Sequence, residues 1–230
     1  MARSRSSKGE RLPDLVASSR SSERSLLVAT HNKGKLKEIL RIFSAEISDL
    51  RLLTLDDFPG AEEVDEVGET FEENSLLKAR AGFLHSGIPT LADDSGLVID
   101  ALGGRPGIHS ARYSGGGDAA NIEKVLRELE GVPSEKRSAR FVTVVAFFGG
   151  IGEIDGGEES ITERGELEGV IIDAPRGEGG FGYDPIFVPQ ASALTLAQLS
   201  ATEKDEISHR GGALRKIAPR VGIRFAQFRP

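Results

Sequence analysis

Residues 25–43 read SLLVATHNKGKLKEILRIF, and this stretch decides the fold class. The apolar run at 26–29 predicts a buried strand. A helix with one apolar face is predicted next, because apolar residues recur at helical spacing at Leu36, Ile39, Leu40 and Phe43. The turn at 30–35 therefore lies where a strand leads into a helix N-terminus, as in α/β folds.

The alternation of strand and helix continues along the chain. Further strands are predicted at 50–55, at a segment ending with Leu91-Ala92-Asp93-Asp94, at 139–148 and at 159–166 around a Gly/Asp turn at 152–157; further helices are predicted at 72–84, 118–129 and 208–218. We expect an α/β fold built as a two-lobed mixed sheet flanked by helices. The active-site cleft would lie between the lobes of one domain, residues 25–230.

Composition and charge narrow the functional classes. The chain has 230 residues, no cysteine and a formal charge of −7. Residues 1–24 hold six Lys/Arg against three Asp/Glu, so the body carries −10, which argues against nucleic-acid binding. The Ser/Arg-rich residues 1–24 predict a disordered tail. We expect a cytoplasmic protein without a membrane span, because disulfides are excluded and no long apolar run occurs.

The first chemical motif is Thr30-His31-Asn32-Lys33-Gly34-Lys35. A helix N-terminus presents backbone N–H groups and a partial positive charge, and the two lysines add charge, so the segment is suited to binding a polyphosphate. It lacks the spacing of a Walker loop. A helix capped by Asn32 with solvated lysines explains the same residues equally well.

The second motif is Asp93-Asp94 followed by Ser95. Because neighbouring strand residues point to opposite faces, one carboxylate can face a cleft while the other hydrogen-bonds locally. The carboxylate in the cleft can hold Mg²⁺ or accept a proton from an attacking water. The acidic pair Asp65-Glu66 offers further metal ligands, although either cluster alone is also typical of an ordinary turn or loop.

Two further segments lie later in the chain. Residues 177–182 match Gly-x-Gly-x-x-Gly, but an extended segment follows them instead of a helix, so a dinucleotide-binding fold is excluded. Phe181-Gly182-Tyr183-Asp184 can still bring backbone and an aromatic ring beside a flat base. Lys204, His209 and Arg210 are donors that suit purine carbonyl oxygens, or ordinary surface charges near a capped helix.

Together, these segments closely resemble the XTP/dITP diphosphatase family, also called the inosine triphosphate pyrophosphatase family. The resemblance covers about residues 26–220 in the correct order. It rests on six segments, at 29–35, 68–79, 92–97, 102–115, 181–185 and 208–210. His31 departs from the pattern, since glycine is usual there, and it could introduce backbone strain or a new contact near the phosphates.

The resemblance implies a role for each matching segment. Residues 30–35 would bind the triphosphate, with Lys78 as an extra phosphate contact, and Asp94 would accept the proton and bind Mg²⁺, with Ser95 touching substrate. Asp65 replaces a glutamate that binds metal in some members, so either Asp65 or Glu66 would be the second ligand. The nucleoside would be enclosed by Phe181, Gly182, Tyr183, Asp184, Lys204, His209 and Arg210.

The reaction implied is hydrolysis of ITP, dITP or XTP to the monophosphate and pyrophosphate by a homodimer, in which Asp94 activates a water that attacks the α-phosphorus. Two alternatives stay open. A Maf-like nucleotide pyrophosphatase shares a similar architecture but prefers other nucleotides. A nucleotide-sensing module would bind without turnover, although binding alone does not require a metal-positioned carboxylate.

Overall fold

The computed structural model describes residues 24–61, 64–151 and 158–227. Six strands form one mixed sheet in the order β2-β1-β3-β4-β5-β6. The strands are β1 (Arg24–Val28), β2 (Leu50–Thr54), β3 (Thr90–Ile99), β4 (Ser138–Ile151), β5 (Glu158–Ile171) and β6 (Phe187–Pro189). β1 is parallel to β2 and β3, whereas the pairings from β3 to β6 are antiparallel. The predicted α/β fold with a mixed sheet is confirmed. The parallel part, β2-β1-β3, and the antiparallel part, β3 to β6, are joined through β3 in one continuous sheet.

Five helices accompany the sheet in the described part of the chain: α1 (Lys33–Glu46), α2 (Phe71–Ser86), α3 (Asp118–Glu128), α4 (Ala201–Ile207) and α5 (His209–Gln227). α1 begins where the Asn32 side chain caps it. α2 begins at a reciprocal Thr70–Glu73 capping box and ends at Gly87, whose φ of 70° suits a helix C-terminus. None of these helices is long and apolar enough to cross a membrane.

The helices cover opposite faces of the sheet. α1 and α5 bury one face, where Val28, Leu91 and Phe147 pack with Phe43 and Leu214. α2 buries the other face through a cluster of small and aromatic residues, namely Ala29, Ala79, Ala92, Ala146 and Phe148. Alternate residues of β3 therefore meet different helices.

The structure corrects the ends of two predicted elements, and two other predictions lie outside the described residues. β3 does not end at Asp94 but continues to Ile99, because ten consecutive residues pair with β4. α4 was not predicted, and α5 extends past Pro219 to Gln227. The turn at 152–157 and the tail lie outside the described residues, except that Arg24 begins β1.

Candidate active site

A cavity of about 680 Å³ lies beside the turn between β1 and α1. Its walls come from that turn, from the segment after β2 and from α2. The lining includes Thr30, His31, Asn32 and Lys35 of the predicted phosphate turn, together with Glu66 and Lys78. Three sequence-predicted segments, far apart along the chain, therefore meet in one pocket.

The phosphate turn is both a helix cap and a cavity wall. The Asn32 Oδ1 atom accepts hydrogen bonds from the backbone N–H groups of Gly34 and Lys35, at 2.9 and 3.0 Å. An incoming phosphate must therefore share or displace this cap to reach those two donors. His31 is exposed and its φ is not positive, so the residue introduces no backbone strain.

Asp94 faces α2 from the middle of β3. Its Oδ1 atom lies 3.3 Å from Lys78 Nζ and accepts the backbone N–H of Ser95 at 3.1 Å. Its Oδ2 atom accepts one hydrogen bond, from Asn74 Nδ2 at 3.2 Å. Burial raises the pKa of Asp94, and the charge of Lys78 offsets only part of this rise. A carboxylate with a raised pKa is suited to accept a proton.

Glu66, rather than Asp65, reaches this cluster. The Glu66 Oε1 atom lies 3.0 Å from Lys78 Nζ, so Lys78 bridges Glu66 and Asp94. Arg112 also binds Glu66, at 2.5 Å. Burial alone would raise the pKa of Glu66, but Lys78 and Arg112 hold it below its ordinary value. Asp65 is exposed and does not line the cavity, so the structure favours Glu66 as the second carboxylate.

Asp93 points to the other face of the sheet, toward α1 and α5. Its Oδ2 atom contacts Lys35 Nζ at 3.2 Å and Arg210 Nε at 3.1 Å, and it accepts the hydroxyl of Ser95. Burial would raise the pKa of Asp93, but Lys35 and Arg210 hold it well below its ordinary range. Asp93 thus stays ionised as an ion-pair partner, and the hydroxyl of Ser95 is engaged in the same cluster.

Glu38 of α1 links the predicted nucleoside residues to the phosphate turn. It is 4 % exposed and pairs with Lys204 Nζ at 2.8 Å and with the guanidinium of Arg210. Lys204 also contacts Asp184 Oδ2 at 2.5 Å. Lys204 and Arg210 were predicted as donors to the base, but in this structure both are buried and bound to carboxylates.

The other predicted nucleoside residues differ in exposure. Phe181 is half-buried, and its ring centroid lies 4.5 Å from Lys204 Nζ. Phe181 also packs on the phosphate turn, since a Cβ added to Gly34 would lie 2.5 Å from the ring. Tyr183 instead packs in the core, with its hydroxyl donating to the Ser110 carbonyl at 2.9 Å. The Gly182 N–H donates to Asp118 at 2.7 Å.

His209 is buried and stacks on the ring of Phe141, with centroids 4.9 Å apart and planes at 8°. Burial lowers its pKa well below the ordinary value, and the neighbouring charges of Arg210 and Lys204 act in the same direction. The imidazole is therefore neutral. Its Nδ1 atom is buried and has no hydrogen-bond partner among the described residues.

The cationic side chains of the site are matched in number by its carboxylates. The ion pairs form two separate sets, one of three cations with three carboxylates and one of two with two: Lys35, Lys204 and Arg210 with Glu38, Asp93 and Asp184, and Lys78 and Arg112 with Glu66 and Asp94. Each set is neutral when its carboxylates are ionised, so a triphosphate would compete with Asp93 and Asp94 for Lys35 and Lys78. No cluster of three or more His, Cys, Asp or Glu suited to a metal ion occurs among the described residues.

A magnesium ion fits the carboxylates that are present. Mg²⁺ is commonly held by one or two carboxylates plus substrate phosphates, and it retains several waters. Asp94 and Glu66 supply two carboxylates that already share one cation, Lys78. The pair therefore suits an ion that arrives with the nucleotide rather than a permanent protein cage.

Three residues of the site were not singled out from the sequence. Glu38 lies on the buried face of α1, one turn after Lys35, and a carboxylate among the apolar positions of that face is the signal that could have revealed it. Asn74 precedes Lys78 by four residues, which places both side chains on one face of α2. Arg112 lies within the matched segment at 102–115, where its position alone indicated no contact.

The chain is similar in sequence and in fold to known proteins. The model of the Ham1 family matches residues 26–220. A dITP/XTP pyrophosphatase of Geobacter sulfurreducens is 49% identical over 199 residues, which cover 86% of this chain and 96% of that protein. One of Nocardia farcinica is 49% identical over 197 residues, with 84% and 93% covered. The structure of the Staphylococcus aureus Ham1 protein superposes with a TM-score of 0.74 at 37% identity, covering 86% of this chain and 98% of that chain.

Proposed function

The chain belongs to the Ham1 family, and we propose that it hydrolyses dITP, XTP and ITP to the monophosphate and pyrophosphate. The chain is a nucleoside triphosphate pyrophosphatase. The observation that carries the proposal is Asp94, a carboxylate with a raised pKa that contacts Lys78, and Lys78 in turn contacts Glu66; both of these partners line the phosphate-turn cavity. A binding module would need no proton acceptor there.

Binding would begin with the triphosphate entering the cavity beside residues 30–35. The α1 N-terminus attracts the anion, and Lys35 and Lys78 add positive charge from within the cavity. Asp94 and Glu66 would hold Mg²⁺. When bound, this ion neutralises phosphate charge and polarises the phosphorus–oxygen bonds.

Asp94 would then take a proton from the attacking water. Its Oδ2 atom accepts one hydrogen bond whereas Oδ1 accepts two, so Oδ2 has more acceptor capacity left for the water. Asn74 and Lys78 keep the carboxylate oriented during this step. The water attacks the α-phosphorus in line with the leaving pyrophosphate, whose charge Lys35 and Lys78 would stabilise.

Recognition of the base is proposed to involve Phe181, whose half-buried ring can stack on a purine. His209 would contribute its unpartnered Nδ1 atom. The donors of Lys204 and Arg210 are occupied by carboxylates. These two residues would therefore act mainly through their cation–π contacts with the Phe181 ring, which hold the ring in place. We also propose that the protein is a homodimer, as the resemblance implies, and light scattering tests this oligomeric state. We propose a cytoplasmic location because the sequence has no cysteine.

A substrate panel in ¹⁸O-labelled water tests the reaction. The full chain is incubated with Mg²⁺ and dITP, ITP, XTP, GTP or ATP, and the products are identified by ³¹P NMR. We expect pyrophosphate from the first three substrates and ¹⁸O in the monophosphate, because attack is at the α-phosphorus. Release of orthophosphate, or label in pyrophosphate, would contradict the mechanism. Preference for canonical nucleotides or pyrimidines would favour the Maf-like alternative.

A further inference from the structure

Asn74 of α2 uses the two ends of its side chain on two different parts of the site. It is fully buried. Its Oδ1 atom accepts the backbone N–H of Gly68 at 2.8 Å, and its Nδ2 atom donates to Asp94 Oδ2 at 3.2 Å. The Gly68 N–H can only donate, so it fixes the amide with oxygen toward the loop and nitrogen toward Asp94.

The two ends hold the two carboxylates of the site. One end contacts Asp94 directly. The other end anchors the loop two residues beyond Glu66, whose carboxylate meets Asp94 across Lys78. The loop lies directly on the amide, since a Cβ added to Gly68 would be 2.7 Å from Asn74 Oδ1. One side chain therefore connects the strand carboxylate with the loop that carries the second carboxylate.

We propose that Asn74 is a positioning residue that sets the separation of Asp94 and Glu66, and through it the affinity for the divalent cation and the rate of proton transfer. This inference rests on the proposed function. Hydrogen-bond partners of metal-binding carboxylates orient them, and their loss commonly lowers metal affinity or activity by about 10- to 100-fold. Asn74 does so for two carboxylates at once.

Two variants separate the two ends of the amide. Asn74→Asp keeps the shape and the acceptor for Gly68, but it removes the donor to Asp94. Asn74→Ala removes both. We expect kcat for dITP to fall about 10- to 100-fold in both variants. In Asn74→Asp, KM for dITP should change less than about threefold, because the loop at Gly68 stays anchored.

Binding of Mn²⁺, followed by electron paramagnetic resonance with a non-hydrolysable triphosphate, provides a readout that needs no turnover. Asn74→Asp should bind Mn²⁺ no more weakly than wild type, because the loop stays anchored and a carboxylate is added. Asn74→Ala should bind it about 10-fold more weakly or worse, because Glu66 loses its anchor.

Asn121→Asp is a matched control for the structural effect of the substitution. Asn121 is also buried and bonded at both ends, accepting from Ser114 N at 2.7 Å and donating to the Ala111 carbonyl at 3.1 Å, and its described partners include no carboxylate. We expect a lower Tm with kcat and Mn²⁺ affinity within about threefold of wild type, because the variant loses donors to the Ser110 and Ala111 carbonyls but no bond to Asp94 or Glu66.

Wild-type kcat in Asn74→Asp, or wild-type Mn²⁺ affinity in a folded Asn74→Ala, would overturn the proposal for Asn74. If Asn74→Ala does not fold, the isosteric Asn74→Asp decides alone. A wild-type chain that releases no pyrophosphate from dITP would instead contradict the proposed function, and the Mn²⁺ measurement keeps the two failures distinguishable.

Discussion

The two faces of β3 carry the same side chain in opposite environments. On one face, Asp93 is bound by Lys35 and Arg210, and these charges lower its pKa. On the other face, Asp94 lies beside a cavity, is held by Asn74 and Lys78, and has a pKa raised by burial. The difference shows that partners decide the state of a carboxylate: Asp93 is held ionised in ion pairs, and Asp94, the proposed proton acceptor, has a raised pKa.

The sharpest test of this comparison is Asp94→Asn, which keeps the shape and removes the proton acceptor. We expect kcat for dITP to fall by about 10² to 10⁴, the range for a lost general base. The Tm should change little, since Asn74 and Lys78 retain other partners. Steady-state kinetics and a melting curve on the same sample provide both values. Near wild-type turnover would move the role to another carboxylate and break the comparison.

Arg210→Ala tests the Asp93 face. Removing one partner of a buried ion-pair network lowers the free energy of unfolding by about 3–5 kcal/mol. Chemical denaturation measures this loss, and Arg41→Ala is the control, because the Arg41–Asp205 pair is more exposed and should contribute about 1 kcal/mol or less. If Arg210→Ala were stable but lost its preference for dITP over ATP, Arg210 would read the base, as the sequence suggested.

A comparison of Glu66→Gln with Asp65→Asn tests which of these two acidic residues acts together with Asp94. Glu66 contacts Lys78 inside the cavity, whereas Asp65 is exposed. We expect kcat/KM for dITP to fall about 10- to 100-fold in Glu66→Gln, with a higher Mg²⁺ requirement. Asp65→Asn should stay within about twofold of wild type, because surface substitutions have small effects. The reverse order would restore Asp65 as the metal ligand.

The smallest expected effect is on the pH dependence of stability. His209 has a lowered pKa in the folded chain, so the unfolded chain takes up its proton first as the pH falls. Its contribution is present above about pH 6.5 and is lost below it, by at most about 1.4 kcal/mol per pH unit. Glu38 and Asp93, whose pKa values are also lowered, add a further loss below about pH 4.5.

His209→Gln separates these two steps. Denaturation curves between pH 8 and pH 4 should show no loss near pH 6 in the variant, while the loss at lower pH remains. The slope matters here rather than the absolute stability, because the substitution also removes the stacking on Phe141. An unchanged slope near pH 6 would mean that His209 does not titrate in this way.

Much of the fold was predictable because local signals agree with the tertiary structure. The apolar period and the Asn32 cap predicted β1 and α1, and the Thr70–Glu73 capping box with the apolar spacing fits α2 to within two residues. β3 was predicted too short, since Asp, Ser and Gly are poor strand formers. Pairing with β4 outweighs that preference. Such pairing joins segments that are distant in the sequence, so the residues of β3 alone do not reveal it.

The site was predictable as a set of segments and less so as a set of contacts. Lys35 and three residues of the phosphate turn line the cavity, and Asp94 contacts Lys78, which also lines it. The partners of Arg210 could not be inferred, because Glu38 lies 172 residues away along the chain. A lysine or arginine that is buried against a carboxylate has the same sequence pattern as one that faces a ligand.

The long ladder between β3 and β4 also fixes which aspartate faces which side of the sheet. Ten residue pairs, from Thr90 with Phe148 to Ile99 with Ala139, fix the register. A slip by one residue would send every side chain of β3 to the opposite face, exchanging the surroundings of Asp93 and Asp94. The two aspartates are chemically identical, so only the odd or even count along the strand distinguishes the proton acceptor from the ion-pair partner. We therefore expect a single-residue insertion in β3 ahead of Asp93 to abolish turnover, although every side chain of the site is kept.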